Sequence, residues 1–225
     1  MRLHVLDVLQ TGMQCALSPD QAHYLTVVMR LKLGDSLFVF NNGGEWSANI
    51  THVSKKHLIV TVGSCVRPFQ PCPEVWLAFS PLKHDAMTFL LEKATELGVT
   101  NFQPLIAART NTHRLNESRM HKQVAEAAQQ CERMCIPKIH PVRPLGEFLK
   151  LAVQHVQWFC AMEREDGPAF SRQAGPVGFV VGPEGGWTLK ELQVLNATPY
   201  INRVSLGPRI LRAETACLAL LAKQL

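Results

Sequence analysis

The sequence predicts a small β-barrel followed by a longer α/β domain with a parallel sheet. Three observations predict this fold. Short apolar runs alternate with turn residues in the first part, a proline-rich stretch follows, and strand-like and helix-like segments then alternate. Such alternation is typical of a parallel sheet that helices cover on both faces. We therefore expect a barrel over residues 1–66, a linker over 67–73 and the α/β domain over 74–225.

The predicted barrel contains short strands and one helix. Leu3 to Leu9 alternates apolar and polar residues, as a half-buried strand does. Ser18 can cap a helix in which Pro19 takes the first position, and apolar residues at 22, 25, 28 and 29 continue it at helical spacing. Further strands are predicted over 36–40, 46–53 and 58–62, with turns at 41–44 and at Lys55-Lys56.

The linker and the α/β domain follow. Residues 67–73 contain three prolines, which favour an extended conformation. The strands predicted beyond them are 75–79, 102–106, 138–140, 158–162, 177–181 and 203–206. The predicted helices are 87–97, 118–133, 145–154, 189–195 and 212–224.

Composition narrows the class of protein. The chain is 47% hydrophobic and 18% charged, so it can bury a core. A net charge of +5 suits a polyanionic partner but equally an ordinary basic enzyme. The start lacks a secretory pattern and no apolar run approaches the ~20 residues of a membrane span, so we expect a cytoplasmic protein without membrane segments. The seven cysteines and nine histidines lack metal-ligand spacing, which predicts reduced thiols and no metal.

The loop after the strand at 177–181 has an unusual composition, Gly182-Pro183-Glu184-Gly185-Gly186-Trp187-Thr188. Glycines let a ligand approach the main chain closely, and Thr188 can cap the next helix. In an open parallel sheet, ligands bind beyond the carboxyl ends of the strands, where this loop lies. A tight turn that carries a surface glutamate is the alternative interpretation.

A second unusual loop spans residues 205–216. Leu206, Ile210 and Leu211 are apolar where loops are normally polar, and they could wall an adenine ring whose edge the main chain reads. Arg209 and Arg212 could bind phosphates through their guanidinium groups. Core packing under the last helix, with a surface ion pair, is the alternative.

Several common ligand motifs are absent from the sequence. It has no GxxxxGK[ST], no GxGxxG after the first strand, no HExxH and no GxSxG. The α/β domain is therefore expected to use a different ligand chemistry.

The two loops together resemble the RsmE family of SPOUT-class enzymes, which methylate N3 of a uridine in small-subunit (16S) ribosomal RNA. The matching strings are Val180-Val181-Gly182-Pro183-Glu184-Gly185-Gly186 and Leu206-Gly207-Pro208-Arg209-Ile210-Leu211-Arg212-Ala213-Glu214-Thr215-Ala216. Residues 91–99 and 126–133 add to the match, and His23 to Arg30 with Gly34-Asp35 resembles the family's PUA-like barrel. The resemblance covers nearly the whole chain.

The resemblance implies a fold, a cofactor and a partner. The α/β domain would be a SPOUT domain with a trefoil knot, which ordinary topology rules disfavour. The enzyme would be a homodimer, and its substrate would be ribosomal RNA within the assembled small subunit. Matching positions imply that the residues that hold S-adenosylmethionine are Gly182, Gly185, Leu206, Gly207, Ile210 and Leu211. Pro81 and Leu82, after the first strand of this domain, would close the cofactor pocket.

Methyl transfer to uridine N3 requires help from the protein, because that nitrogen carries a proton and is a poor nucleophile. A general base or a cation that stabilises the uridine anion is needed. Glu184 is the candidate base, and Arg209, Arg212 or Arg133 is the candidate cation.

Cations in the middle of the chain predict contacts with an RNA backbone. The central group consists of Lys83-His84, Arg109 to His113, Arg114, Arg119, Lys122 and Arg133, and the barrel would extend it with Arg30, Lys32, Lys55 and Lys56. The candidates for direct contacts are Arg30, Lys83, Arg109 and Arg133. For each residue taken alone, a solvated surface charge is the alternative.

Three rival functions stay open at this point: a SPOUT methyltransferase of another RNA or base, a non-catalytic RNA-binding factor of ribosome assembly, and an α/β enzyme of a free nucleotide. Binding of S-adenosylmethionine would separate the methyltransferases from the others.

Overall fold

A computed structural model of the chain describes residues 1–54, 57–112, 114–162 and 167–225. The predicted turn at Lys55-Lys56 and the predicted cation at His113 lie outside these residues. The chain divides into two units, one of Met1–Pro71 with Ala128–Cys135 and one of Cys72–Ala127 with Ile136–Leu225. Within the described ranges, no helix is both long and apolar enough to cross a membrane.

The first unit contains a five-stranded sheet in the order β1-β3-β4-β5-β2. Its strands are β1 (Arg2–His4), β2 (Gln14–Ala16), β3 (Ser36–Asn41), β4 (Gly44–Val53) and β5 (Leu58–Arg67). β1 pairs with β3 in parallel and the other pairs are antiparallel. Register shifts along β4 bend and twist the strand, which curls the sheet. The sequence analysis missed β2, and β1 is shorter than predicted.

The helix of the first unit begins as predicted and then changes type. In α1 (Pro19–His23), the Ser18 side chain accepts from the Gln21 N–H and Gln21 reciprocates, which forms a capping box. A π-helical segment follows over Tyr24–Val28. Leu25 is fully buried, whereas Val28 and Met29, predicted on the same apolar face, are 58% and 42% exposed. The wider π turn explains the difference, because it shifts later residues off the 3.6-residue spacing.

The second unit contains a parallel sheet in the order β12-β10-β11-β6-β7-β8, with β9 also paired to β7. Its strands are β6 (Val75–Phe79), β7 (Asn101–Ile106), β8 (Lys138–Ile139), β9 (Arg143–Pro144), β10 (Gln157–Ala161), β11 (Val177–Val181) and β12 (Ile201–Val204). Its helices are α2 (His84–Glu96), α3 (Glu117–Gln130, whose last residues belong to the first unit), α4 (Leu145–Leu151), α5 (Leu189–Ala197) and α6 (Ala213–Gln224). Every strand pair in this sheet is parallel, so the prediction of a parallel α/β sheet is confirmed.

Side chains of the central strands alternate between two cores, one on each face of the sheet. In β11, Val177, Phe179 and Val181 belong to the core that α2 and α6 cover. Val180 belongs to the opposite core, which contains residues of α4 and α5. All of β11 is buried, because a strand in the middle of a covered parallel sheet has no solvent face.

Some predicted ends of elements are wrong. β12 was predicted over 203–206 but ends at Val204, and α2 begins three residues before the predicted Met87. β9 was missed, because a two-residue strand has no periodicity to detect.

Two cysteines differ from the predicted reduced state. Cys72 and Cys135 are disulfide-bonded, so the expectation of reduced thiols is wrong for these two. Cys160 and Cys217 are free and buried, and burial raises the pKa of both thiols, which therefore stay protonated.

Candidate active site

The glycine loop, which we define as Gly182–Thr188, leaves the carboxyl end of β11 and leads into α5. Gly186 has φ +69°, and its N–H donates to the Pro183 carbonyl at 2.8 Å, which closes a turn around Glu184. A positive φ is a conformation that glycine adopts without strain. The Glu184 side chain is exposed. Among the described residues it has no hydrogen bond or ion pair, so it is available to a ligand.

Trp187 fixes the first residue of the glycine loop. A Cβ at position 182 would lie 2.7 Å from the Trp187 ring, so only glycine allows the ring to lie flat against the main chain. Trp187 packs against the core on the α5 side of the sheet. Gly182 is therefore explained by packing within the protein, whether or not a ligand is bound.

Glu191 connects the glycine loop to the turn after β7. One oxygen, Oε2, accepts from the Thr188 N–H and the Thr188 hydroxyl, both at 2.8 Å, in a capping box at the start of α5. The other oxygen, Oε1, accepts from the Ala108 N–H at 2.7 Å. Partial burial acts to raise the pKa of Glu191, but the hydrogen bonds from Ala108 and Thr188 outweigh it, and the pKa lies below its ordinary value.

Arg109 makes a second connection between the same two segments. Its Nη1 donates to the Gly185 carbonyl at 2.8 Å. A Cβ at position 185 would lie 3.2 Å from the Arg109 Cβ, so the stem of the arginine lies directly against the glycine. The sequence predicted Arg109 as an RNA contact, whereas the structure engages one of its donors within the protein.

The end of β6 lies between β11 and β7 in the sheet. The Ser80 N–H donates to the Val181 carbonyl at 3.2 Å, which joins this end to the start of the glycine loop. The Ser80 hydroxyl is buried and has no hydrogen-bond partner among the described residues. A buried hydroxyl without a partner is costly, and it is a natural group for a ligand to satisfy. Pro81 and Leu82, which follow, are buried.

The second predicted loop, which we call the 205–212 loop, leaves the carboxyl end of β12 and leads into α6. Leu206 and Leu211 are partly buried and pack against the core that contains Leu82. Gly207 is exposed with φ +97°, so its main chain can be approached closely. Ile210 is 58% exposed.

Both loops lie at the same end of the sheet, where the carboxyl ends of the parallel strands lie. β11 and β12 are parallel neighbours of β10, one on each side. At the usual strand spacing their carboxyl ends are about 10 Å apart. The two loops that the sequence singled out are therefore brought to one end of the sheet, as predicted.

A cavity of about 420 Å³ lies elsewhere, beside the edge strand β12. Phe159, Phe170, Asn196 and all of β12 contribute to its lining. None of the predicted cofactor residues lines it.

Comparison with known proteins assigns the family. An RNA methyltransferase domain matches residues 70–224, and an RNA methyltransferase PUA domain matches residues 17–63. Ribosomal RNA small subunit methyltransferase E of Rickettsia conorii is 31% identical over 99% of this chain and 93% of its own length. The enzyme of the same name from Synechocystis is 35% identical over 92% of this chain and 71% of its own.

The chain belongs to the RsmE family.

Solved structures of relatives agree with this assignment. Ribosomal RNA small subunit methyltransferase E from Neisseria gonorrhoeae, bound to S-adenosylmethionine, has a TM-score of 0.88 at 27% identity and covers 98% of this chain and 94% of its own. A methyltransferase from Legionella pneumophila, in complex with the same cofactor, has a TM-score of 0.86 at 29% identity, with coverage of 98% and 95%. The predicted PUA-like and parallel α/β parts of an RsmE family fold are confirmed, and the trefoil knot stays a prediction.

The predicted site residues of this RsmE family member fall into three groups. Leu82, Leu206 and Leu211 share one apolar cluster at the edge of the sheet where the loops lie. Exposed charged groups near that edge are Glu184, Arg209, Arg212 and Lys83. Arg30 and Arg133 belong to the first unit and not to the unit of the two loops. Arg30 is exposed with φ +56°, whereas burial lowers the pKa of the partly buried Arg133.

Sequence reasoning missed Glu191 and Ser80. The pattern Thr188-x-x-Glu191 before an apolar run is a readable capping-box signature, so the role of Glu191 at the start of α5 could have been found. The hydrogen bond between Glu191 and Ala108 could not have been found from the sequence, because the two residues are far apart in the chain. In the described ranges, no group of three or more His, Cys, Asp or Glu side chains could hold a metal ion.

Proposed function

We propose that this chain transfers a methyl group from S-adenosylmethionine to a base of small-subunit (16S) ribosomal RNA, at N3 of a uridine. The observation that carries the proposal is the convergence of the glycine loop and the 205–212 loop at one end of a parallel sheet in an RsmE family chain. Relatives carry the name of ribosomal RNA small subunit methyltransferase, and two were solved with the cofactor bound. The uridine N3 target rests on the motifs shared with the family.

The residues present fit S-adenosylmethionine. Leu82, Leu206 and Leu211 offer an apolar wall to an adenine ring, and the exposed main chain at Gly207 can read its edge. The buried Ser80 hydroxyl offers a hydrogen bond that the protein itself leaves unmade. When bound, the cofactor supplies an electrophilic methyl group on a sulfonium. The full set of proposed cofactor residues is Pro81, Leu82, Gly182, Gly185, Leu206, Gly207, Ile210 and Leu211.

The protein's own groups prepare the nucleophile. Glu184 accepts the N3 proton of the uridine, and the electron pair left on nitrogen then attacks the methyl carbon in line with the breaking bond to sulfur. Arg209 and Arg212 stabilise the negative charge that develops on the base. All three side chains are exposed on loops at one edge of the sheet, which supports these roles.

The RNA backbone is bound by cations, for which Arg30, Lys83, Arg109 and Arg133 are our candidates. Arg30, Lys83 and Arg109 are exposed, which supports this role. Each neutralised phosphate releases counterions, so the affinity for RNA should fall steeply as salt increases. An affinity that does not change between about 50 and 200 mM salt would contradict the electrostatic interpretation.

We further propose the domain limits 1–66 and 74–225, a cytoplasmic location and a homodimer. Large exposed apolar side chains in the second unit, including Phe89, Ile210 and Leu225, support a homodimer because a second copy would cover them. Sedimentation equilibrium measures the mass directly, and a monomer at micromolar concentration would count against the dimer.

The decisive experiment uses labelled cofactor and small ribosomal subunits that lack the modification. We expect label on one uridine, identified by mass spectrometry of nuclease fragments, and less label on naked RNA than on assembled subunits. Label on another base or on another RNA would favour a different methyltransferase of the same class. No uptake of the cofactor in calorimetry would leave only a non-catalytic RNA-binding role.

A further inference from the structure

Two loops that do not follow neighbouring strands are held together in the second unit. The sheet order is β11-β6-β7, so β6 separates the strand before the glycine loop from the strand before Ala108. Adjacent strands lie about 4.8 Å apart, so a connection between these loops spans roughly 10 Å across the end of β6. Sheet hydrogen bonds cannot make this connection, and side chains make it instead.

The turn after β7 is closed by two hydrogen bonds of its own. The Thr110 N–H donates to the Ala107 carbonyl at 3.1 Å, and the Thr110 hydroxyl accepts from the Ala107 N–H at 2.8 Å. Both hydrogen bonds are buried, since Ala107 and Thr110 are each 5% exposed. Ala108 and Arg109, between them, are exposed and present the two donors that reach the glycine loop.

Those two donors hold both ends of the part of the glycine loop that follows Glu184, Gly185 to Thr188. The Ala108 N–H reaches Glu191, which also accepts from Thr188 at the end of the glycine loop. The Arg109 guanidinium reaches the carbonyl of Gly185, the residue after Glu184. Glycine-rich loops have high conformational freedom when unbound, and fixing them in advance lowers the entropic cost of binding a ligand.

We propose that Glu191 is a positioning residue for the cofactor: its carboxylate, bound at the same time to Ala108 and Thr188, holds the glycine loop in the conformation that binds S-adenosylmethionine. The inference rests on the proposed function and names a residue outside the motifs that support it. Glu191 acts through the loop and does not contact the reacting atoms.

A purely structural role as a helix cap makes a different prediction, and one substitution separates the two. In Glu191→Gln, the amide oxygen can still accept from the Thr188 N–H and hydroxyl, because Gln serves at this position of a capping box as well as Glu does. The amide NH₂ then faces the Ala108 N–H, and two donors cannot bond to each other. The cap therefore survives and the connection between the loops is lost.

The measurement is the dissociation constant of S-adenosylmethionine by calorimetry, together with the KM for cofactor and for RNA. We expect Glu191→Gln to raise the cofactor Kd and KM about tenfold, as the loss of one charge-assisted hydrogen bond does. The KM for RNA should change less than about twofold. The matched control is Glu147→Gln, which removes the charge of another first-turn glutamate in the same unit, paired with Arg143 at its surface.

A second variant removes the same bond from the other side. Ala108 is the second residue of the turn 107–110, a position where β-turns favour proline, and Ala108→Pro deletes the N–H that Glu191 accepts. We expect a similar rise in cofactor Kd. In the double variant the two effects should not add, because both remove one interaction.

Different results would overturn the positioning role of Glu191 and the proposed function. Cofactor affinity of Glu191→Gln equal to that of Glu147→Gln, or fully additive effects in the double variant, would overturn the positioning role. Failure of the unsubstituted protein to bind S-adenosylmethionine would instead overturn the proposed function.

Discussion

Glu184 stands between two fixed points of the glycine loop, the Trp187 ring against Gly182 and the Arg109 bond to Gly185. Its own side chain is exposed and makes no hydrogen bond within the described ranges. A loop that is held while its one acidic side chain stays free suits a group that acts on a substrate. This contrast supports Glu184 as the candidate base over a surface glutamate without a role.

The first prediction concerns this residue. Glu184→Gln keeps the shape of the side chain but cannot take up a proton, so we expect the single-turnover methylation rate to fall about 100-fold or more. The cofactor Kd should stay within about twofold of normal, because the glycine loop keeps its anchors. A near-normal rate would eliminate Glu184 as the base.

The glycines of the second unit are required for different physical reasons. Gly178 is required by packing. A Cβ there would lie 2.4 Å from the Trp158 ring, in the middle of the buried strand β11. Trp158 is fully buried, so it has no room to move aside. This glycine is required by core packing and not by the turn or the ligand.

The second prediction follows from that contact. Gly178→Ala should lower the free energy of unfolding by about 2–3 kcal/mol, the usual cost of overpacking a core. Urea unfolding measures it. Gly175→Ala, where the added Cβ meets nothing within 4 Å, is the control and should change the free energy little. Equal effects of the two substitutions would show that the Trp158 contact is not the cause.

At the scale of elements, the end of α3 is held in the first unit by two arginines that share one glutamate. Glu45 on β4 pairs with Arg2 at 2.5 Å and with Arg67 at 2.8 Å, and the Arg2 and Glu45 side chains are almost fully buried. Arg2 also donates to the Gln129 carbonyl, and Arg67 donates to the Glu132 carbonyl. Cationic donors at a helix carboxyl end satisfy carbonyls that lack partners within the helix.

The third prediction tests this arrangement. Glu45→Gln leaves Arg2 buried without its counter-charge, and breaking a buried ion pair costs about 3 kcal/mol or more of folding free energy. Glu96→Gln removes the charge of a more exposed pair with Lys93, and we expect a much smaller loss, because water screens a surface ion pair. Denaturant unfolding of both variants measures the difference. Equal losses would indicate that the Glu45 pair is not the stabilising feature.

At the scale of the whole molecule, two histidines make stability depend on pH. Burial lowers the pKa of His4 in the first unit. Burial, and then the nearby charges of Lys138 and Arg143, lower the pKa of His140, whose ring stacks on Trp76. The unfolded chain therefore binds protons at these positions at a higher pH than the folded protein does, so stability decreases as the pH falls below about 6.5.

The fourth prediction concerns the free energy of unfolding as the pH falls. The free energy of unfolding should decrease between pH 7.5 and pH 5.5, and the decrease should be smaller in His140→Gln. His121→Gln, on the exposed surface of α3, is the control and should retain the full decrease. A decrease of the same size in all three proteins would contradict a contribution from His140.

Local patterns in the sequence determined most of the elements and the positions of the two loops. The residues themselves predict the buried strands β6 and β11 from their continuous apolar runs, the start of α1 from its capping residues, and the alternation of strands and helices. Because parallel strands end at one edge of a sheet, a strand followed by a glycine-rich loop already locates a ligand site. For that reason the sequence alone indicates both loops.

Only the tertiary structure decided which residues hold those loops. The bond from Ala108 to Glu191, the bond from Arg109 to Gly185 and the unpartnered Ser80 hydroxyl all depend on which strands are neighbours. The sheet order β12-β10-β11-β6-β7 is set by packing between distant segments, which leaves no periodic signal along the chain. Sequence thus located the loops, whereas long-range packing determined how they are fixed, because hydrogen bonds between remote residues exist only once the strands have assembled.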